Sequence, residues 1–269
     1  MAKSSPYLVE PDSKIKLSNY DPDDTGDLNS KSKADKLLEQ HREKLSTLQD
    51  LMYAEAKHSL LVVLQAMDAA GKDGTIRHIF TGVNPQGCQV TSFKKPGLEE
   101  LKHDFLWRVH RATPARGMIG IFNRSHYEDV LVVRVHGNLS KNELKDRFRA
   151  INHFEDLLVE NGTTILKFFL HISKDEQRDR LQARLDDPQK YWKVNPEDLK
   201  EREYWDDYMD AYEDVFRHCS RKHAPWFIIP ADKKWYRNVA ISQILIEALD
   251  GLEMKYPKPN FDVSKMKVE

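Results

Sequence analysis

Residues Leu61 to Thr75 read LVVLQAMDAAGKDGT, a run of apolar and β-branched residues that breaks into small residues and passes Gly71 and Lys72 into a helical pattern. Few segments constrain a fold as tightly. A buried strand that feeds through a small-residue turn into a helix calls for parallel strand neighbours and helices on both faces of the sheet. The turn also has a chemical reading: backbone N–H groups curl around phosphate oxygens, the lysine reaches a phosphate, and the next helix presents its positive end. Candidate phosphate contacts are Ala69, Ala70, Gly71, Lys72, Asp73 and Gly74. The plainer alternative is a glycine-containing turn with a solvated lysine.

Two departures from the usual phosphate-loop pattern carry information. Ala66 stands where the first glycine is common, and Asp73 follows the lysine where a Ser or Thr would ligate Mg²⁺. The hydroxyl ligand is therefore missing, while Asp68 and Asp73 put two carboxylates into a loop built for anions. Acids beside bound phosphate are tolerable with a hard cation between them, so the loop suggests Mg²⁺ held by an acid.

A chain of 269 residues accommodates one large α/β domain, and a formal net charge of −1 excludes a globally basic nucleic-acid binder. Cys88 and Cys219 have neither disulfide-framework nor zinc spacing and suit a reducing cytosol. No apolar run approaches a membrane span and the start lacks a leader pattern, so the expected location is cytoplasmic, with no membrane partner.

Residues 1–32 are polar and turn-rich and read as an arm, extended or loosely packed; residues 33–269 form the expected domain. Apolar spacing predicts a helix from Ala34 to Ala56 lying on the sheet. Strands are expected at Leu60 to Gln65, Gln89 to Phe93, Met118 to Phe122, Thr164 to His171 and Trp226 to Pro230. Ser140 with Glu143, and Ser173 with Glu176, have capping-box spacing, and Asn161-Gly162 is a stop signal. Asn195-Pro196-Glu197-Asp198 opens a long helix whose aromatic stripe, including Trp205, Tyr208, Tyr212 and Phe216, reads as core.

Beyond the loop, two constellations carry chemistry. The strand ending at Phe122 runs into Asn123, Arg124 and Glu128, at the carboxyl edge where such sheets bind ligands. There the amide would position metal or substrate, the arginine fork suits phosphate, and Glu128 would orient a second Mg²⁺ or the acceptor. His126 reads as structural. Residues 178–200 form the second, a helix-to-loop element with Arg184, Lys190 and Lys193, with Pro188 expected to end the helix; such an element can close as a lid. The basic excess between Gly87 and Gly117 fits a solvated face as well as a polyanion track.

The loop AMDAAGKDGTIRHIF, NPQG at Asn84 to Gly87, SFKKP at Ser92 to Pro96, FLWR at Phe105 to Arg108, FNRSHYEDVLVVRVHG at Phe122 to Gly137 and RLDDPQKYWK at Arg184 to Lys193 together resemble the family-2 polyphosphate kinases. The resemblance implies a three-layer α/β/α phosphate-loop kinase fold with a mostly parallel sheet and a helical lid. It also implies phosphoryl transfer between inorganic polyphosphate and adenine nucleotides with Mg²⁺ or Mn²⁺. Position by position, it makes Asp68 and Lys72 the loop acid and lysine that organise the metal, held through Asp68, and the transferring phosphate. Arg124 matches the arginine that follows Asn123, and Arg184, Lys190 and Lys193 match lid cations. Arg77, Asn84, Gly87 and Arg111 fall to the nucleotide side. The Asn123 and Glu128 pair resembles the class III subgroup, which phosphorylates both AMP and ADP. An ATP-dependent nucleoside or nucleotide kinase of thymidylate-kinase-like fold is the competing reading. A homodimer or homotetramer is also implied, and the aromatic helix is a candidate for that contact.

Overall fold

The computed structural model describes residues 5–268. Five parallel strands form one sheet: β1 (Ser59–Gln65), β2 (Cys88–Ser92), β3 (Ile119–Asn123), β4 (Thr163–His171) and β5 (Trp226–Pro230), in the order β2-β3-β1-β4-β5. All seven residues of β1 are buried, as a central strand covered on both faces must be. Each of the first four strands lies within one residue of its expected start and end. The register pairs Leu64 of β1 with Asn123 of β3, which brings the ends of those two strands to the same edge.

Helix α1 (Lys31–Glu55) packs on α9 (Lys234–Asp250) over one face, with α2 (Lys72–Ile79) beside them. On the other face lie α4 (Glu128–Val135), α5 (Lys141–Glu160) and α8 (Trp205–Cys219); a short α3 spans Trp107–His110. The result is the three-layer α/β arrangement expected. Among the described residues, no helix is long and apolar enough to cross a membrane.

Ser140 and Glu143 form the full reciprocal capping box. Ser173 caps α6 (Lys174–Leu185), but Glu176 turns instead to Arg180 at 2.8 Å, so that box is half made. Helix α6 ends at Leu185, short of Pro188, because Asp187 caps a separate 3₁₀ turn over Pro188–Lys193. The long helix expected after Asn195 is broken into α7 (Pro196–Glu201), a 3₁₀ turn and α8. At the break, Arg202 donates back to Lys174 O and Gln177 Oε1, both at 2.7 Å.

The aromatic stripe of α8 faces its own sheet, with Phe169 and Tyr212 ring centres 4.2 Å apart and Phe216 against Trp226. That face is therefore filled within the chain and is not free to make an intersubunit contact. The arm is extended but not loose. Val9 N–H donates to Trp226 O and Ile228 N–H to Tyr7 O, both at 2.9 Å, so the arm covers the open edge of β5. Val9 and Leu17 are buried with it; the first four residues of the arm and of the leader reading lie outside the described residues.

A buried ionic cluster underlies the sheet on the α5 face. Lys167 of β4 is wholly buried and donates to Glu155 at 2.5 Å, to Cys219 O at 2.7 Å and to the Tyr127 hydroxyl at 3.0 Å. Glu155 also accepts from Tyr127 at 2.8 Å and contacts His126 Nε2 at 3.2 Å. His126 is thus structural, as expected, and the segment after β3 is anchored from below.

Candidate active site

The loop after β1 is held by its backbone. Ala69 has φ +64° and Gly71 φ +105°, left-handed values that turn successive N–H groups toward one side. A Cβ at Gly71 would also sit 2.4 Å from Arg237 Nη1 and force that guanidinium to move. Thr75 donates its hydroxyl to Gly71 O at 3.1 Å and closes the first turn of α2. That hydroxyl is therefore engaged in the helix.

An open cavity of about 990 Å³ covers the loop. Asp68, Ala69, Gly71, Lys72, Asp73, Gly74, Asn123, Arg124, Arg184 and Lys193 line it, so most of the expected phosphate and catalytic residues come together. Ala70 does not, because its carbonyl is drawn into the protein by Arg180 and Arg237, each at 2.8 Å. Lys72 Nζ folds onto Ala66 O at 3.0 Å. Burial lowers the pKa of this lysine, with the Asp68 carboxylate acting in the opposite direction.

Arg124 also adopts a left-handed backbone, φ +61°, while its N–H extends the β1 ladder to Leu64 O at 3.1 Å. Its guanidinium meets Asp68 at 2.8 Å and lies 3.9 Å from Glu128. Asn123 donates to Asp73 at 2.5 Å. The β3 end is thus stitched to both loop acids. Glu128 is set behind Arg124 instead of on the cavity wall, and accepts from Gln65 at 3.0 Å. Burial raises the Glu128 pKa, and Arg124 and Lys72 oppose the rise. Its placement suits orienting Arg124 rather than touching a metal or acceptor.

In the lid segment Arg184 donates to Lys193 O at 3.3 Å and Asp198 at 3.4 Å. Lys193 lines the cavity beside Trp192. Lys190 lies off the cavity wall and pairs with Asp187 at 2.8 Å. The four residues expected near the nucleotide are also not on that wall. Arg77 is exposed on α2, and Asn84 caps the turn before β2. Gly87 is buried against the Gln49 amide, and Arg111 stacks on Trp107 at 4.6 Å. The family resemblance put them on the nucleotide side; the structure does not set them on this wall.

Further walls come from Phe93 and Lys94 of the SFKKP segment just after β2, and from residues outside every quoted motif: Lys31 and Arg42 on α1, and Lys234 and Arg237 on α9. Lys94 had a usable signal, because it follows a strand at the ligand-binding edge. Nothing local to α9 marks Arg237.

Among the described residues there is no cluster of three or more acids, histidines or cysteines able to cage a metal. Magnesium needs no such cage, since one or two carboxylates suffice when phosphate oxygens and water complete its shell. Asp68 and Asp73 on the cavity wall fit that donor set.

The profile of the family described as Polyphosphate kinase 2 (PPK2) matches residues 28–257. The chain is 53% identical over 264 residues to the AMP/ADP-polyphosphate phosphotransferase of Meiothermus ruber, covering 98% of this chain and 99% of that protein. It is 51% identical over 241 residues to the ADP-polyphosphate phosphotransferase of Rhodopseudomonas palustris, covering 85% and 83%. The crystal structure of polyphosphate kinase 2 from Arthrobacter aurescens TC1 superposes with a TM-score of 0.91 at 47% identity, over 97% of this chain and 96% of that one. Matched along its length by profile, relatives and solved structure alike, the chain belongs to the polyphosphate kinase 2 family of phosphotransferases.

Proposed function

We propose that this enzyme transfers the terminal phosphoryl group of inorganic polyphosphate to AMP and to ADP, giving ADP and ATP. The observation that carries the reading is the end-to-end match to a relative whose name specifies both acceptors. The joined array of Asp68, Lys72, Asn123 and Arg124 on one cavity wall supports it.

The loop N–H groups and Lys72 hold the phosphoryl group in transit, and Arg124 steadies Asp68 while offering further donors to phosphate. Asn123 fixes Asp73 at the loop's mouth. Arg184 reaches the transferring group when it leaves Asp198. The acceptor is a phosphate oxygen already ionised at neutral pH, so the chemistry is in-line positioning and charge neutralisation, with no strong base needed. Asp68 would hold Mg²⁺ or Mn²⁺, and the ion when bound would neutralise phosphate charge. One phosphoanhydride is exchanged for another, so the reaction runs in both directions. A cytoplasmic location agrees with the two free thiols, Cys88 and Cys219. A homodimer or homotetramer is read by light scattering.

Incubation with AMP, polyphosphate and Mg²⁺, followed by chromatography, should show ADP and then ATP. ADP alone restricts the enzyme to the first step. Turnover that persists when ATP replaces polyphosphate as sole donor would favour an ordinary nucleotide kinase.

A further inference from the structure

Two arginines lie behind the phosphate loop, and they are unequal. Arg180 donates to the carbonyls of Ala69 at 3.2 Å, Ala70 at 2.8 Å, Ala231 at 2.8 Å and Asp232 at 2.9 Å, and its Nε meets Glu176 at 2.8 Å. Its charge has an acid partner. Arg237 is only 2% exposed, yet its polar contacts are the Ala70 carbonyl at 2.8 Å and the neutral amide oxygen of Asn238 at 3.0 and 3.3 Å. Among the described residues, none of its partners is a carboxylate. The guanidinium packs against Gly71 and contributes to the wall of the cavity.

A buried cation without an acid is unfavourable, and the free protein must tolerate that state. Burial, with Arg180 nearby, brings the pKa of Arg237 down to about 9, which leaves it cationic at neutral pH. The carbonyl contact has a geometric consequence: with the Ala70 oxygen held from behind, the loop's N–H groups are left to face the cavity.

We propose that Arg237 is a positioning residue of the phosphate loop, holding the Ala70 carbonyl from behind while its unpaired charge awaits balance by a phosphate chain in the cavity. The proposal rests on the function given above, and it extends that function to a residue outside the loop, strand-end and lid motifs. A purely structural arginine would stabilise the free protein; this one is expected to be neutral or unfavourable there and favourable only with ligand bound.

The test compares the parent with Arg237→Gln and Arg237→Lys, by thermal melting without ligand and by calorimetric titration with tripolyphosphate. Glutamine removes the charge and is too short to reach Ala70 O, but Ala70 O keeps its bond from Arg180 at 2.8 Å, so the fold is retained. The expected result for Arg237→Gln is an unchanged or raised melting temperature and tripolyphosphate binding weakened about ten- to a hundredfold, as for loss of a charge-assisted contact. Arg237→Lys should recover part of the affinity. Parent-like affinity in Arg237→Gln overturns the proposal. So does a clearly lower melting temperature with affinity restored to neither variant. Polyphosphate-dependent turnover by the parent is scored separately, so an inactive parent whose tripolyphosphate binding depends on Arg237 would sink the assigned reaction and leave this inference standing.

Discussion

Two cationic regions border the cavity, and they are prepared to different degrees. At the loop, Lys72, Arg124 and the backing arginines are set by buried strands, left-handed residues and hydrogen bonds that converge from three separate stretches of chain. In the lid, Arg184 is held by two long contacts within the lid itself, Lys190 by a neighbouring acid, and Trp192 is 79% exposed. Under the proposed function, the loop is preorganised and needs little rearrangement to accept phosphate, whereas segment 178–200 keeps its charges on local partners that phosphate would have to displace, so that its closure would be a step driven by ligand.

The strongest challenge to this contrast is Arg184→Ala. If the lid arginine reaches the transition state, kcat should fall roughly 10³ to 10⁵-fold, or about 4 to 7 kcal/mol. A loss below tenfold in a folded variant would make Arg184 a lid-structuring residue only.

On the loop side the sharpest probe is the buried cluster under β3 and β4. Removing one member as Glu155→Ala should destabilise the protein by about 3 to 5 kcal/mol in denaturant melts, because Lys167 is left buried and uncompensated. The pH dependence has a definite sign. Burial alone would raise the Glu155 pKa, but Lys167 and His126 outweigh it and hold the folded value below the usual glutamate range. The unfolded chain then binds a proton first as pH falls, so the contribution is present above the ordinary glutamate pKa and is lost as pH drops through the depressed folded one. Glu155→Gln should flatten that acid-side decline; an unchanged slope would remove the cluster from the acid response.

Asp198→Asn releases Arg184 from its lid partner. Because that pair is partly exposed, the Michaelis constant for polyphosphate should fall by no more than about fivefold. A rise would mean that Asp198 presents Arg184 to the chain rather than restraining it. The smallest effect is expected from Lys190→Ala, within about twofold in kcat/KM, since the residue pairs with Asp187 off the cavity wall. A tenfold loss would show that closing carries it inward.

What could be read before folding differs between these regions for a physical reason. Five strands, the turn at Gly71 and the Ser140 box each depend on residues a few positions apart, where hydrophobic period and side-chain-to-backbone bonding act directly. Asp68, Lys72, Asn123 and Arg124 were legible because strand ends at one edge of a parallel sheet necessarily meet, and the Leu64–Asn123 register brings them together. Arg77, Asn84, Gly87 and Arg111 carried a family likeness but no such geometric necessity, and they do not line the cavity.

The amino-acid order by itself thus determined the strands, the phosphate loop and the acids beside it, since these are products of short-range spacing. Only the tertiary structure decided that the arm seals β5, that the aromatic face of α8 is spent on its own sheet, and that Arg237 stands behind a loop more than 160 residues away, its Nη1 reaching Ala70 O across a separation of 167 positions. Contacts of that range follow from strand order and helix packing, which sum many weak terms over the whole chain, and no local pattern carries them.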